Sequence, residues 1–203
     1  MIQTPSAPRR VAIFLFDAVE VLDFAGPFEV FGVARDDVGG YAFEVVTAAL
    51  NPGPVTARNG LTILPHLPAA DLGPVDVLVV PGGYGTRPEM KRAETLDFVR
   101  AASATAGVTL SVCTGSLILG AAGLLKGLAA TTHFGALDEL RALEVGEVRP
   151  DARVVDNGRI VTTTGVSAGI DGALHLVSRL VGQAAAEQTA RYMQYDWRDR
   201  RIG

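Results

Sequence analysis

The sequence is short of cysteine, of charge of one sign and of long apolar runs, and each shortage removes a class of protein. A single cysteine, Cys113, excludes an intramolecular disulfide. The 18 basic and 22 acidic side chains leave a formal charge of −4, with no run of one sign long enough for an electrostatic tail. A chain so mildly acidic is a poor holder of nucleic-acid phosphates, so no nucleic-acid partner is expected. No segment reaches the ~18 apolar residues of a membrane span. The opening MIQTPSAPRR is followed by VAIFLFD, an apolar stretch of about six residues that soon meets Asp17 and Glu20, too short for a secretory signal. The cytoplasm is the expected compartment, with no membrane partner. One cysteine and the scattered His66, His133 and His175 give no metal-ligand spacing. Gly82-Gly83-x-Gly85 lacks both G-K-[ST] and G-x-G-x-x-G, so no phosphate loop and no cofactor are expected.

What is present is an alternation of strand-like and helix-like segments. With 203 residues the chain suits one domain with a real core. Residues 1–9 read as a loose polar leader and 10–203 as that domain. Val11–Phe16 is a continuous apolar run of strand length, the mark of a parallel strand covered on both faces, and Val75–Val80 and Val108–Val112 read as two more buried strands. Tyr41–Thr47 alternates and reads as a further strand. Pro- and Gly-rich 51–70 suggests loops and a small hairpin. Asn157-Gly158 between two β-like runs is a hairpin signal. Helices are expected from about Asp23–Pro27 to Val33, with Pro27 near the first turn, and over Pro88–Ala106, Thr114–Leu125, His133–Leu143, Ser167–Val181 and Ala184–Tyr195. The pattern predicts an α/β doubly wound sandwich with a mostly parallel central sheet.

The most informative stretch is Val108-Thr-Leu-Ser-Val-Cys-Thr-Gly-Ser-Leu. A buried strand runs into an apolar helix with one polar turn between them. Nucleophiles at such elbows need small residues two before and two after, here Ser111 and Gly115. A helix N-terminus favours a thiolate over a thiol and offers N–H groups to a developing anion, Thr114 first among them. The bland alternative is a small buried cysteine; the elbow context favours the reactive reading. The loop Pro81-Gly-Gly-Tyr-Gly85 ends the neighbouring strand and is expected at the same sheet edge. Asp23 can be a helix N-cap or a site acid, and burial beside Cys113 predicts a raised pKa. Glu20 is expected to face solvent and His133 to be structural or at the site rim. His66 and His175 read as structural, Asp171 as a first-turn residue near the site or a dimer seam, and Tyr192 and Trp197 as packing residues.

Four pieces together carry a family resemblance: Val11-Ala-Ile-Phe-Leu-Phe-Asp, Val21-Leu-Asp-Phe-Ala-Gly-Pro, Val80-Pro-Gly-Gly-Tyr-Gly and Ser111-Val-Cys-Thr-Gly-Ser. They resemble the DJ-1/PfpI superfamily. Ala130-Thr-Thr-His and Thr164-Gly-Val-Ser-Ala-Gly-Ile-Asp are similar to its isocyanide hydratase branch and to the ligand domain of AraC-type regulators. The resemblance implies a flavodoxin-like fold and a homodimer acting on a small molecule. By that analogy Cys113 is the nucleophile, Asp23 its carboxylic acid, and Thr114 the residue following the hydratase cysteine. Gly83, next to Gly82, matches the family glycine whose N–H faces the site. Thr114 stands where the protease branch keeps a histidine, which argues against amide hydrolysis. Phe134 stands where close hydratase relatives are expected to carry tryptophan, and the sequence ends at Gly203, earlier than some hydratases. A complete AraC-type regulator also needs a helix-turn-helix domain, for which there is no room here. The expected activity is hydration of R–NC to an N-substituted formamide. The rival expectations are a ligand-binding or oxidant-sensing domain, or glyoxalase- or deglycase-like chemistry on small aldehydes.

Overall fold

A computed structural model describes residues 7–197. The buried apolar runs are strands. β1 (Arg9–Leu15), β2 (Phe43–Ala49), β5 (Leu67–Pro68), β6 (Val77–Val80), β7 (Val108–Ser111), β10 (Val154–Asp156) and β11 (Ile160–Thr163) form one sheet. The short pairs β3 (Val55–Thr56) with β4 (Thr62–Ile63), and β8 (Ala129–Ala130) with β9 (Glu147–Val148), lie outside it. The order across the main sheet is β10-β11-β7-β6-β1-β2-β5, and every neighbouring pair is parallel except β10 with β11. Val77 to Val80 are fully buried, as parallel strands covered on both faces must be.

Among the described residues seven α-helices complete the sandwich: α1 (Val21–Val33), α2 (Thr86–Glu89), α3 (Ala93–Thr105), α4 (Gly115–Ala121), α5 (Leu137–Arg141), α6 (Ala168–Leu180) and α7 (Gln183–Tyr192). α1 packs on α6 and α6 on α7, while α4 touches α2, α3 and α5. The chain leaves β1 toward β2 on one side and later returns to β6 on the other. The carboxyl ends of β1 and β6 therefore flank a topological switch point, where open α/β sheets bind ligands.

Several boundaries differ from the sequence reading. β1 begins at Arg9, the last residue of the span read as a leader, and residues 1–6 of that span lie outside those described. α1 begins at Val21, which puts Pro27 inside the helix rather than in its first turn. The expected 88–106 helix is two helices, because the chain turns between Glu89 and Ala93. The expected 133–143 helix is a 3₁₀ turn, Phe134–Ala136, followed by α5. The hairpin inside 51–70 is β3–β4, and Leu67–Pro68 adds an edge strand that two residues could not announce. Tyr192 is 72% exposed and is not a packing residue, whereas Trp197 is partly buried against the core.

Candidate active site

Three consecutive strand ends build the site. Loop 16–20 after β1 leads into Asp23, Pro81–Gly85 follows β6, and Val112–Thr114 follows β7. The first two are laced together: the Glu20 N–H donates to the Gly82 carbonyl at 2.9 Å and the Gly85 N–H to the Ala18 carbonyl at 3.2 Å.

At the third, Cys113 has φ +56°, the left-handed region that a non-glycine residue adopts at a cost of about 1–3 kcal/mol. The surroundings hold it there. Its N–H donates to the Thr164 carbonyl at 3.2 Å. Its carbonyl accepts from the Thr132 hydroxyl at 3.0 Å and from the Ser116 hydroxyl at 3.2 Å. Two residues on, a Cβ at Gly115 would overlap the Val80 carbonyl, which is the physical reason for a glycine there. Thr132 belongs to the Ala130-Thr-Thr-His piece. The sequence showed that piece only as a resemblance; here it pins the elbow.

Asp23 is wholly buried in the first turn of α1, whose N-cap position is Glu20, so Asp23 is not the N-cap. Its Oδ2 accepts the Gly82 N–H at 3.0 Å, while Oδ1 is buried with no hydrogen-bond partner. A Cβ at Gly82 would lie 2.6 Å from the Thr114 nitrogen and 2.8 Å from Asp23 Oδ2, so only glycine allows these groups to converge. Burial pushes the Asp23 carboxyl up to about 7, with the Gly82 N–H and then the Cys113 thiol opposing the rise and the nearby Glu20 adding a little to it.

The sulfur is where the helix-terminus argument fails. Burial first, and then the charge of Asp23, push the Cys113 thiol up to about 12; the Thr114 N–H pulls the other way. α4 has only seven residues, and its N-terminus does not offset removal of the sulfur from water. The resting form near neutral pH is therefore a thiol beside a carboxyl, not an isolated thiolate. The two groups titrate as a coupled pair.

The N–H of Gly83 is already engaged: it donates to Thr114 Oγ1 at 3.0 Å, and that hydroxyl also meets Thr86 Oγ1 at 3.2 Å. Its use by a developing anion requires that bond to break. His133 reaches the same space from the 3₁₀ turn, where its Nδ1 accepts the Gly135 N–H at 3.1 Å. Asp171 lies elsewhere, bound by Arg153 at 2.6 Å and by the Tyr195 hydroxyl at 3.0 Å. His66 bonds Thr47, and His175 pairs with Asp156 at 2.6 Å; both tie elements of the fold together. Among the described residues no group of three or more Cys, His, Asp or Glu is placed to hold a metal, and no helix is long and apolar enough to cross a membrane.

Above Cys113 opens a cleft of about 200 Å³, lined by Glu20, Arg58, Gly83, Tyr84, His133 and Val166, with Arg87 and Thr114 beside them. Sequence reasoning missed three of these features. Glu20 faces the cleft rather than bulk solvent and pairs with Arg58 at 2.8 Å. Arg58 arrives from the β3–β4 hairpin. Gly165 closes the wall: a Cβ there would overlap the His133 ring and come within 3.3 Å of Cys113 Sγ. Gly165→Ala is therefore expected to slow alkylation of Cys113 by iodoacetamide at least about fivefold, with a stability change within the ~1–3 kcal/mol of overpacking. Timed intact mass and urea titration measure the two effects.

Comparison with known proteins adds the following. Residues 9–179 match the sequence profile of the DJ-1/PfpI family. The chain is 40% identical to the isonitrile hydratase of Pseudomonas putida over 186 residues, 92% of this chain and 78% of that protein. A solved ThiJ/PfpI family protein from Pseudomonas syringae superposes with a TM-score of 0.85 at 35% identity, covering 96% of this chain and 78% of that one. Identity falls to 27% over 191 residues with the transcriptional regulator GbdR of Pseudomonas aeruginosa, of which the match covers 51%.

Proposed function

The chain belongs to the DJ-1/PfpI family, and from that premise we propose that it hydrates small isocyanides to N-substituted formamides, with Cys113 as nucleophile and Asp23 as proton carrier. The observation that carries this reading is the wholly buried Asp23 carboxyl in contact with a strained, cleft-lining cysteine.

The chemistry uses one proton carrier twice. The Asp23 carboxylate takes the thiol proton as Sγ bonds to the terminal carbon of R–N≡C, then delivers that proton to the same carbon. The result is a thioimidate, Cys113-S–CH=N–R. Asp23, again a carboxylate, takes a proton from water as its oxygen attacks the CH carbon and passes it to nitrogen. Collapse of the tetrahedral carbon breaks the C–S bond, with the electron pair going to sulfur. The hydroxyl proton returns to the sulfur through Asp23, and R–NH–CHO leaves. The sum is R–NC plus water, with no oxidant and no leaving group. Positioned proton transfer of this kind contributes about 10²–10⁴-fold. The Thr114 N–H steadies negative charge on the sulfur during attack and collapse. Gly82 holds Oδ2, while Gly83 and His133 shape the wall.

An oxidant sensor needs an exposed, low-pKa thiol. Cys113 is 5% exposed with its thiol pushed up, so the hydratase reading is preferred over sensing. The homodimer belongs to the same proposal, with light scattering expected to give twice the 21.2 kDa of one chain. Incubation with a panel of alkyl and aryl isocyanides, followed by mass spectrometry, is the direct test of function. Formamide is expected from at least one small member; none from any would refute the reading.

A further inference from the structure

Resting on the hydratase reading, we propose that Arg58, seated against Tyr84 and braced by Glu20, is a specificity-determining residue that receives an anionic group, such as a carboxylate, on the substrate's R group.

Arg58 is firmly mounted. Its N–H donates to the Val19 carbonyl at 2.9 Å, and the nearby Thr56 N–H donates to Asp17 Oδ1 at 2.9 Å, so the β3–β4 hairpin is tied to the loop that leads into Asp23. The side chain then turns over the cleft. Its guanidinium lies 4.4 Å from the Tyr84 ring centroid, with Nη1 on Glu20 Oε2 at 2.8 Å and Nη2 within 3.3 Å of the Tyr84 hydroxyl. A guanidinium has five N–H donors in a planar fork suited to carboxylates, and these two contacts leave donors free. The side chain remains 42% exposed at the mouth, where an incoming group can reach it. Arg58 and Cys113 line the same cleft.

An anionic group needs a cation here, because above neutral pH the Cys113–Asp23 pair holds one negative charge. Two guanidiniums line the cleft, and each is paired with a carboxylate, Arg58 with Glu20 and Arg87 with Glu139. Glu139 takes two N–H groups of Arg87, at 3.1 and 2.6 Å, whereas Glu20 takes one of Arg58, so Arg58 keeps more donors for a ligand. The cleft is about 200 Å³ and shares His133 and Val166 with a neighbouring hollow of about 670 Å³, so the Arg58 side offers room for a small anionic group.

The first arm of the test does not depend on hydratase activity. Cys113 is the only cysteine in the chain, so alkylation reports on this site alone. Iodoacetate and iodoacetamide differ in charge and little in shape. The ratio of their rates on the intact protein is expected to exceed the ratio on glutathione by about tenfold. It should fall toward the glutathione value in Arg58→Gln and recover in part in Arg58→Lys. A ratio equal to that on glutathione, or one unchanged in Arg58→Gln, overturns the proposal. The second arm compares kcat/KM for isocyanoacetate with that for isobutyl isocyanide, which has the same number of non-hydrogen atoms. The wild type is expected to favour the anion at least about tenfold, and Arg58→Gln to lose that preference. Turnover of both without preference overturns the proposal while sparing the hydratase reading. An alkylation preference with no turnover of any isocyanide keeps the anion seat and refutes the hydratase reading.

Discussion

Asp23→Asn is expected to lower isocyanide hydration by about 10²–10⁴-fold while making Cys113 easier to alkylate at pH 9. The two effects have opposite signs because Asp23 has two roles. As proton carrier it moves hydrogen from sulfur to carbon and from water to nitrogen, which an amide cannot do. As a buried charge it holds the thiol up, and the neutral amide removes that contribution. Asparagine keeps an oxygen to accept the Gly82 N–H, so the loop geometry is retained. A merely structural Asp23 would lower both rates together. Parallel assays of formamide release and iodoacetamide uptake separate the two cases.

The same substitution carries a stability signature. The folded state holds the Asp23 proton up to about pH 7, whereas the carboxyl's ordinary value is 3.8. The folded chain thus binds more protons than the unfolded one between those values, and stability falls as pH rises through that window. The contribution is complete below 3.8 and lost above about 7. At 1.36 kcal/mol per unit, a gap of about three units is worth at most about 4 kcal/mol. Asp23→Asn is expected to unfold at higher urea than the wild type at pH 8, and the two should converge toward pH 4.5. Equal midpoints at both pH values would mean that Asp23 is not held neutral by burial. A residue whose removal stabilises the fold while costing activity is one kept for chemistry.

Cys113→Ser has the largest expected effect on turnover, a loss on the order of 10⁴–10⁶, comparable to removal of the nucleophile in other covalent enzymes. A hydroxyl at the same elbow keeps the Asp23 contact and nearly the same volume, so folding should change little. What is lost is a soft, polarisable nucleophile able to add to the isocyanide carbon. The expected outcome is background formamide with a urea midpoint close to wild type. Formamide at a tenth of the wild-type rate would exclude a covalent sulfur intermediate.

Much of this fold is legible because parallel strands buried on both faces must be apolar along their whole length, as Val11–Phe16 and Val77–Val80 are. The elbow is legible because the spacing of small residues around Cys113 is local, although the crowding that forces glycine at 115 comes from the Val80 carbonyl of the neighbouring strand. Helix ends are less so. Pro27 is tolerated inside α1 and the chain breaks after Glu89, and both depend on tertiary packing rather than on local preference. The cleft rim was hidden because Glu20 and Arg58 are separated by 38 positions and meet only through the β3–β4 hairpin. The titration of Cys113 was misread in sign. A helix N-terminus can be read from sequence, whereas the depth of burial that outweighs it, and the buried carboxylate beside it, exist only in the folded chain.

The coupling of sulfur and carboxylate is most directly tested by the rate of Cys113 alkylation with iodoacetamide from pH 5 to 11. The wild type should rise with unit slope to about pH 7, run level, and rise again toward about 12 as the second proton leaves, whereas Asp23→Asn should show one titration with no inflection near 7. A single wild-type titration near the free-cysteine value of about 8.5, unmoved by Asp23→Asn, would contradict the shared proton on which the proposed chemistry depends.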